Sequence, residues 1–176
     1  MKSTYISTDI QDCRKQFNKA LKQQLKSVGK AYDEICIACI GTDRSTGDSL
    51  GPLVGYKLKD SRLKVVGTLD APLHANNLSE FQSSLSDKTL VIAVDACLGH
   101  MDHVGFISIR QGSINPGSGV GKDIEPVGDI SIAGIVNFGG FMDFMVLQNT
   151  RLSVVMKMAE IIANGISVVL KNWEVA

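Results

Sequence analysis

Two aspartates stand out because each belongs to a segment that follows an almost wholly apolar run. Asp48 lies in the loop Gly41-Thr42-Asp43-Arg44-Ser45-Thr46-Gly47-Asp48-Ser49-Leu50-Gly51-Pro52, directly after Ile35–Ile40, and Asp95 closes Val91-Ile92-Ala93-Val94-Asp95-Ala96. Such runs have the composition of buried parallel strands, and open α/β sheets place ligand sites at the carboxyl ends of their strands. Two carboxylates facing one crevice cannot both ionise freely. One is driven to hold a proton and the other is left as a base. Asp48 and Asp95 are therefore the candidate catalytic pair, and because coupled groups titrate as a unit, residue types alone do not say which holds the proton. Each has a plainer alternative. Asp48 precedes a helix and could cap it, and Asp95 could hold a structural bond to a neighbouring backbone amide.

The groups around the pair suit a polar substrate. Thr42, Asp43, Arg44, Ser45 and Thr46 share the loop with Asp48, and Asp43 and Arg44 can pair with each other or meet a polypeptide backbone. His74, in Asp70-Ala71-Pro72-Leu73-His74, follows the second strand and reaches the same rim or stands in solvent. His100 and His103 flank Asp102, and a metal site built from Asp95 and one of them is an alternative, although the H-E-x-x-H spacing is absent. The expectation is no metal and no cofactor. A Cys97–His pairing is a weaker nucleophilic option, and no G-x-S-x-G turn occurs. The glycine-rich loop fails as a phosphate cradle: five residues separate Gly41 from Gly47, and Asp48 stands where a Walker A loop has lysine. A carboxylate there would repel phosphate.

These groups need a scaffold. Residues 9–29 repeat apolar positions at three and four (Cys13, Phe17, Leu21, Leu25, Val28), which predicts a helix. Strands are expected at 34–41, 64–69 and 89–96, with helices at 49–60, where Pro52 sits in the tolerated first turn, and around Leu78–Leu85. A polar connection at 98–103, a less buried strand at 104–110 and a glycine- and serine-rich mobile loop at 111–122 follow. An extended segment near 127–136, a two-turn helix at 142–148 and a long amphipathic helix at 151–172 complete the chain. The alternating front half predicts a parallel sheet between helical layers. The commonest such opening has strand order 2-1-3, which puts the first and third strands about 4.8 Å apart and makes Asp48 and Asp95 converge.

Bulk properties narrow the function classes. The 176 residues carry 18 Lys plus Arg against 18 Asp plus Glu, so no basic excess points to nucleic acid. Positive charges look scattered. The amino terminus has no apolar signal core, and Lys157, Glu160 and Asn164 interrupt the C-terminal helix, so no membrane association is expected. Cys36 and Cys39 form C-x-x-C inside a strand, where residues three apart face opposite ways, so they read as buried thiols of a reducing compartment. Residues 1–176 are expected to form one α/β domain, with residues 1–30 as an N-terminal helix packed on it.

The loop G-T-D-R-S-T-G-D-S-L-G-P-L-V-G together with V-I-A-V-D-A at 91–96 resembles the superfamily of the spore germination protease and the hydrogenase-maturation endopeptidases. With Pro126–Ile132 and Asn149–Ser153, the pattern over residues 34–170 is more similar to the YyaC-type sporulation proteins. The resemblance implies a three-layer α/β/α sandwich with a central, mostly parallel sheet of the HybD-like (phosphorylase/hydrolase-like) kind. In the germination protease, the aspartate before L-G-P and the aspartate of V-D-A are the catalytic pair, positions matched here by Asp48 and Asp95. In the hydrogenase-maturation enzymes, a later histidine helps hold nickel of the partner hydrogenase. This chain has no histidine after His103, which favours the aspartate pair. The implied function is a sporulation-associated endopeptidase in the cytoplasm of the sporulating cell or forespore. Its expected partner is a protein or peptide substrate, with small acid-soluble spore proteins as candidates. A non-catalytic peptide-binding or regulatory protein and a metal-dependent hydrolase are the alternatives, and homo-oligomerisation stays open.

Overall fold

The computed structural model describes residues 3–116, 125–171 and 173. Part of the loop expected at 111–122 lies outside them. Six strands form one sheet: β1 (Thr4–Ser7), β2 (Glu34–Cys39), β3 (Lys64–Val66), β4 (Thr89–Gly99), β5 (Phe106–Gln111) and β6 (Ile130–Phe138). Their spatial order is β1-β5-β6-β4-β2-β3. Parallel pairing joins β3, β2, β4 and β6, and the β1–β5 and β5–β6 pairs are antiparallel. The short edge strand β1 falls in the stretch before the first predicted helix and is an addition to the expected elements.

Helices α1 (Cys13–Ser27), α2 (Leu50–Leu58) and α5 (Leu152–Leu170) cover one face. Their buried residues (Phe17, Leu21, Leu50, Val54, Val155, Ile162 and Ile166 among them) form one cluster with Ile37, Cys39, Ile92, Val94, Ile107 and Ile132 of the strands. The opposite face is thinner. Leu78 and Phe81 of α3 (Leu78–Ser83), with Leu73, Ile114 and Val127, cover Cys36, Ala38, Ile40, Val91 and Ala93. Strands β2 and β4 are thus buried on both sides, as their continuous apolar runs require. Cys36 and Cys39 lie fully buried in different clusters, on opposite faces.

Helix α5 is long and apolar enough to cross a membrane by length and composition, but half of the qualifying window is buried inside the protein. Its glycine, Gly165, lies against the Phe17 ring of α1. The helix stops at Leu170, and Trp173 instead donates its indole N–H to the Tyr32 hydroxyl (3.0 Å). On α1 the positive charge is more ordered than the sequence suggests: Lys15, Lys19, Lys22 and Lys26 recur at helical spacing and line one shallow surface depression.

The main correction to the expected boundaries concerns β4. It continues past Ala96 to Gly99, because β6 pairs beside it from Ile92↔Ile130 to Gly99↔Phe138, with a bulge after Cys97. The expected polar connection at 98–103 shrinks to a short 3-10 turn at Met101–His103. Asp95 therefore lies within β4 relative to β6. Relative to β2 it lies at the end, since the last β2–β4 bond runs from Ile40 N–H to the Val94 carbonyl (2.7 Å).

Candidate active site

The chain leaves β2, and its pairing with β4, immediately after Ile40. The Gly41 N–H donates to the Leu73 carbonyl (2.9 Å), and Ile40 bridges Leu73 in parallel. Gly41 has φ +134°, and a Cβ there would collide with the Asp48 carbonyl oxygen. Only glycine meets both conditions. The turn doubles back so that the Thr42 N–H reaches both the Asp48 carboxylate (Oδ2, 2.9 Å) and its backbone carbonyl (3.2 Å). Asp48 is therefore not a helix cap: neither the 3-10 turn Gly47–Ser49 nor α2 has a side-chain cap bond. Its carboxylate is spent on closing the loop beside the point where β2 stops pairing with β4, one residue from Asp95 in register.

Helix α2 holds this turn down. A Cβ at Gly51 would fall on the Ile40 backbone, and one at Gly55 on the Gly67 carbonyl, so helix and strands touch main chain to main chain. On the other side Gly47 packs against Leu147 of α4 (Asp143–Gln148) and against Thr150. Asn137, near the end of β6, donates to the Thr150 hydroxyl (3.2 Å) and so ties that contact to the sheet.

Asp95 is 6 % exposed. One carboxyl oxygen accepts the following Ala96 N–H (2.7 Å), the structural bond considered as its plainer role. That bond does not offset its burial. Removal from water, followed by the nearby charge of Asp48, pushes the Asp95 carboxyl well above the ordinary range. Burial also raises Asp48, opposed by the Thr42 N–H and by the charge of His74. The two aspartates thus sense each other, and Asp95 is the one more strongly driven to hold a proton.

The remaining predicted groups divide. His74 is half-buried at the rim, and its Nδ1 accepts the Asn76 N–H (3.3 Å). Asp43 and Arg44 are exposed, with no ion pair between them among the described residues. Thr42 is engaged within the loop, its hydroxyl accepting the Arg44 N–H (3.3 Å). Thr46 is half-buried and its carbonyl accepts the Ser49 hydroxyl (2.6 Å). Ser45 is buried with a hydroxyl that lacks a hydrogen-bond partner among the described residues.

His100 and His103 go elsewhere. His103 stacks on Tyr5 of β1 (5.7 Å between centroids) and meets Phe106 edge-on (5.4 Å), while His100 faces Asp102 (3.3 Å). Among the described residues, no three His, Cys, Asp or Glu side chains group so as to hold a metal ion. Cys97, near Asp95, has its thiol pushed up to about 12 by burial and then by the Asp95 charge, which opposes a thiolate nucleophile. Sequence reasoning missed Gly41, Gly51, Asn137 and Thr150 as the parts that build the site. Only the glycines gave a signal, being placed immediately after a strand and in a helix's first turn.

The family model described as "Protein of unknown function (DUF1256)" matches residues 5–165. This chain belongs to that family. Within 170 aligned residues, this DUF1256 protein is 49 % identical to "Uncharacterized protein YyaC" of Bacillus subtilis (strain 168), covering 93 % of this chain and 82 % of the relative. Its fold is similar to that of the [NiFe] hydrogenase maturation protease HycI from Thermococcus kodakarensis KOD1. That likeness has a TM-score of 0.55 and 22 % identity, covering 84 % of this chain and 99 % of that one. At this identity it shows a shared fold, the central sheet flanked by helices.

Proposed function

We propose that this DUF1256 protein is a sporulation-associated endopeptidase of the germination-protease type that works with an aspartate pair. What supports the reading is that the Asp48 loop leaves β2 one register position before Asp95 of β4, with both carboxyls raised by burial and Asp95 raised further by the charge of Asp48. The resemblance of the Gly41–Gly55 loop and of V-D-A to the germination protease supports it. The fold shared with a maturation protease is compatible with it.

In this reading Asp95 holds the shared proton and Asp48 is ionised, steadied by the Thr42 N–H. Asp48 takes a proton from water as the water oxygen attacks the scissile carbonyl, while Asp95 gives its proton to the carbonyl oxygen. The tetrahedral intermediate collapses when Asp48 passes its proton to the departing amide nitrogen. The hydroxyl proton returns to Asp95. His74 and the exposed Asp43 and Arg44 border the path of the substrate chain. The natural substrate is a protein or peptide of the sporulating cell's cytoplasm, with small acid-soluble spore proteins as the first candidates.

The test is incubation of the full chain with small acid-soluble spore proteins, followed by mass spectrometry. Discrete fragments are expected, absent with Asp48→Asn or Asp95→Asn and unchanged by a chelator. Loss of cleavage with chelator would select a metal-dependent hydrolase. A second reading is favoured by the near-complete burial of Asp95, namely a crevice that holds a peptide without cutting it. Binding that survives both substitutions, without fragments from the unsubstituted protein, would select that reading.

A further inference from the structure

The rim beside the candidate site carries five large apolar side chains in solvent. Phe138 is 45 % exposed, Phe141 88 %, Met142 52 %, Phe144 56 % and Met145 48 %. With about 200 Å² for each such side chain, roughly 600 Å² of apolar surface is displayed, the top of the range found on monomers. The segment is held in this display. Met142 occupies the left-handed region (φ 60°, ψ 44°), which a long side chain rarely adopts, and the Gly140 N–H is locked onto the Asp143 carboxylate (2.8 Å).

The shelf adjoins the loop that carries Asp48 and the far end of the strand that carries Asp95. Leu147 of α4 packs on Gly47, next to Asp48. Phe138 ends β6 opposite Gly99, four residues along β4 from Asp95. At about 3.3 Å per residue the shelf begins about 13 Å from Asp95, the span of four residues of extended peptide. Its area falls short of the roughly 800 Å² per partner of a standard protein–protein interface, so a second copy fits it less well than a short chain segment.

We infer that Phe138, Phe141, Met142, Phe144 and Met145 form the docking shelf for an apolar stretch of the polypeptide substrate, about four residues from the bond to be cut. The inference rests on the peptidase reading for its occupant, but its test is separable from chemistry. Fluorescein-labelled twelve-residue peptides, one with a central Leu-Phe-Leu and one with Ser at those places, are titrated by anisotropy against the full chain carrying Asp95→Asn. The apolar peptide should bind at least tenfold more tightly. Adding Phe141→Ser and Phe144→Ser, both at exposed positions, should erase that preference without lowering the melting temperature. Equal binding of the two peptides, or a preference that survives the serine substitutions, overturns the inference. So does a dimer in sedimentation velocity that the same substitutions dissolve, since a second copy would then own the shelf. If the apolar peptide binds as expected but the protein with intact Asp95 cuts nothing, docking stands and the aspartate-pair chemistry falls.

Discussion

Replacing Asp95 by asparagine should make the protein more stable at neutral pH, an outcome opposite to that of most buried substitutions. The swap is isosteric, and the amide oxygen can still accept the Ala96 N–H (2.7 Å in the parent). What it removes is a carboxyl, 6 % exposed, whose ionisation is opposed by burial and then by the charge of Asp48. Holding that ionisation off costs the folded protein about 1.4 kcal/mol for each pH unit above the ordinary carboxylate value, so about 2–3 kcal/mol two units above it. For a chain of this size that corresponds to a melting temperature higher by about 4–12 °C.

The sign with pH follows from linkage. The Asp95 carboxyl is raised in the folded state, so the folded protein binds that proton more tightly than the unfolded chain does. Below the ordinary carboxylate value both states are protonated and the carboxyl costs nothing. As pH rises from that value through the raised folded one, the parent loses stability and the Asn variant does not. The gap between their melting temperatures should therefore open above about pH 4 and level off beyond the folded value. Differential scanning calorimetry at half-unit steps from pH 3.5 to 8.5 measures it. A variant that is equally or less stable than the parent at pH 8 would show Asp95 to be a structural carboxylate, and the shared-proton argument would be refuted.

Gly51→Ala should act at a distance. Restoring van der Waals separation from the Ile40 backbone must lift the first turn of α2 by on the order of 1 Å. A displacement of that size at Asp48 is expected to lower peptide cleavage about 100-fold, and an unchanged rate with intact folding would show that α2 does not set the Asp48 position. Cys36 and Cys39 are fully buried, burial pushing the Cys36 thiol up to about 11 and Cys39 higher still. Iodoacetamide at pH 8 should leave both unlabelled until the protein unfolds, and peptide mapping that finds Cys39 modified in native protein would contradict the central place of β2. Ser45→Ala removes a buried hydroxyl that has no partner among the described residues. Thermal melts should show no loss and a gain of up to about 1–3 kcal/mol, whereas a drop of several degrees would mean that the hydroxyl is bonded in solution.

The parallel core was legible because Ile35–Cys39 of β2 and Leu90–Val94 of β4 are continuous apolar runs, a pattern few other elements share, and because α1 and α5 carry unbroken three-four repeats. Strand β1 was not. Its four residues have a single buried position, Ile6, and its pairing depends on β5, about a hundred residues away. The carboxyl end of β4 was misplaced for a related reason. Leu98 and Gly99 carry no strand signal of their own, and the partner that extends them, Asn137 and Phe138 of β6, is also distant in sequence. Pairing between remote segments overrides local propensity there.

The site was legible as a pair of residues and not as a geometry. Asp48 and Asp95 announced themselves as carboxylates in segments that follow buried runs, yet nothing in their types says that Asp48 turns back over its own loop. That orientation is set by main chain: Gly41 at positive φ, Gly51 against the Ile40 backbone, and the Thr42 N–H that draws the carboxylate back over the loop. A helix cap would have placed the same side chain over the α2 amides, where it would have had no charged neighbour. Closing the loop instead keeps the carboxylate at the mouth of the β2–β4 gap, where Asp95 meets its field. The price is a second partly buried acid, and in the proposed pair that cost falls on the folded state until one proton is shared between the two. A protein that used these aspartates only as structural ties would have no reason to place both where β2 parts from β4, since a single asparagine could close the loop without the charge.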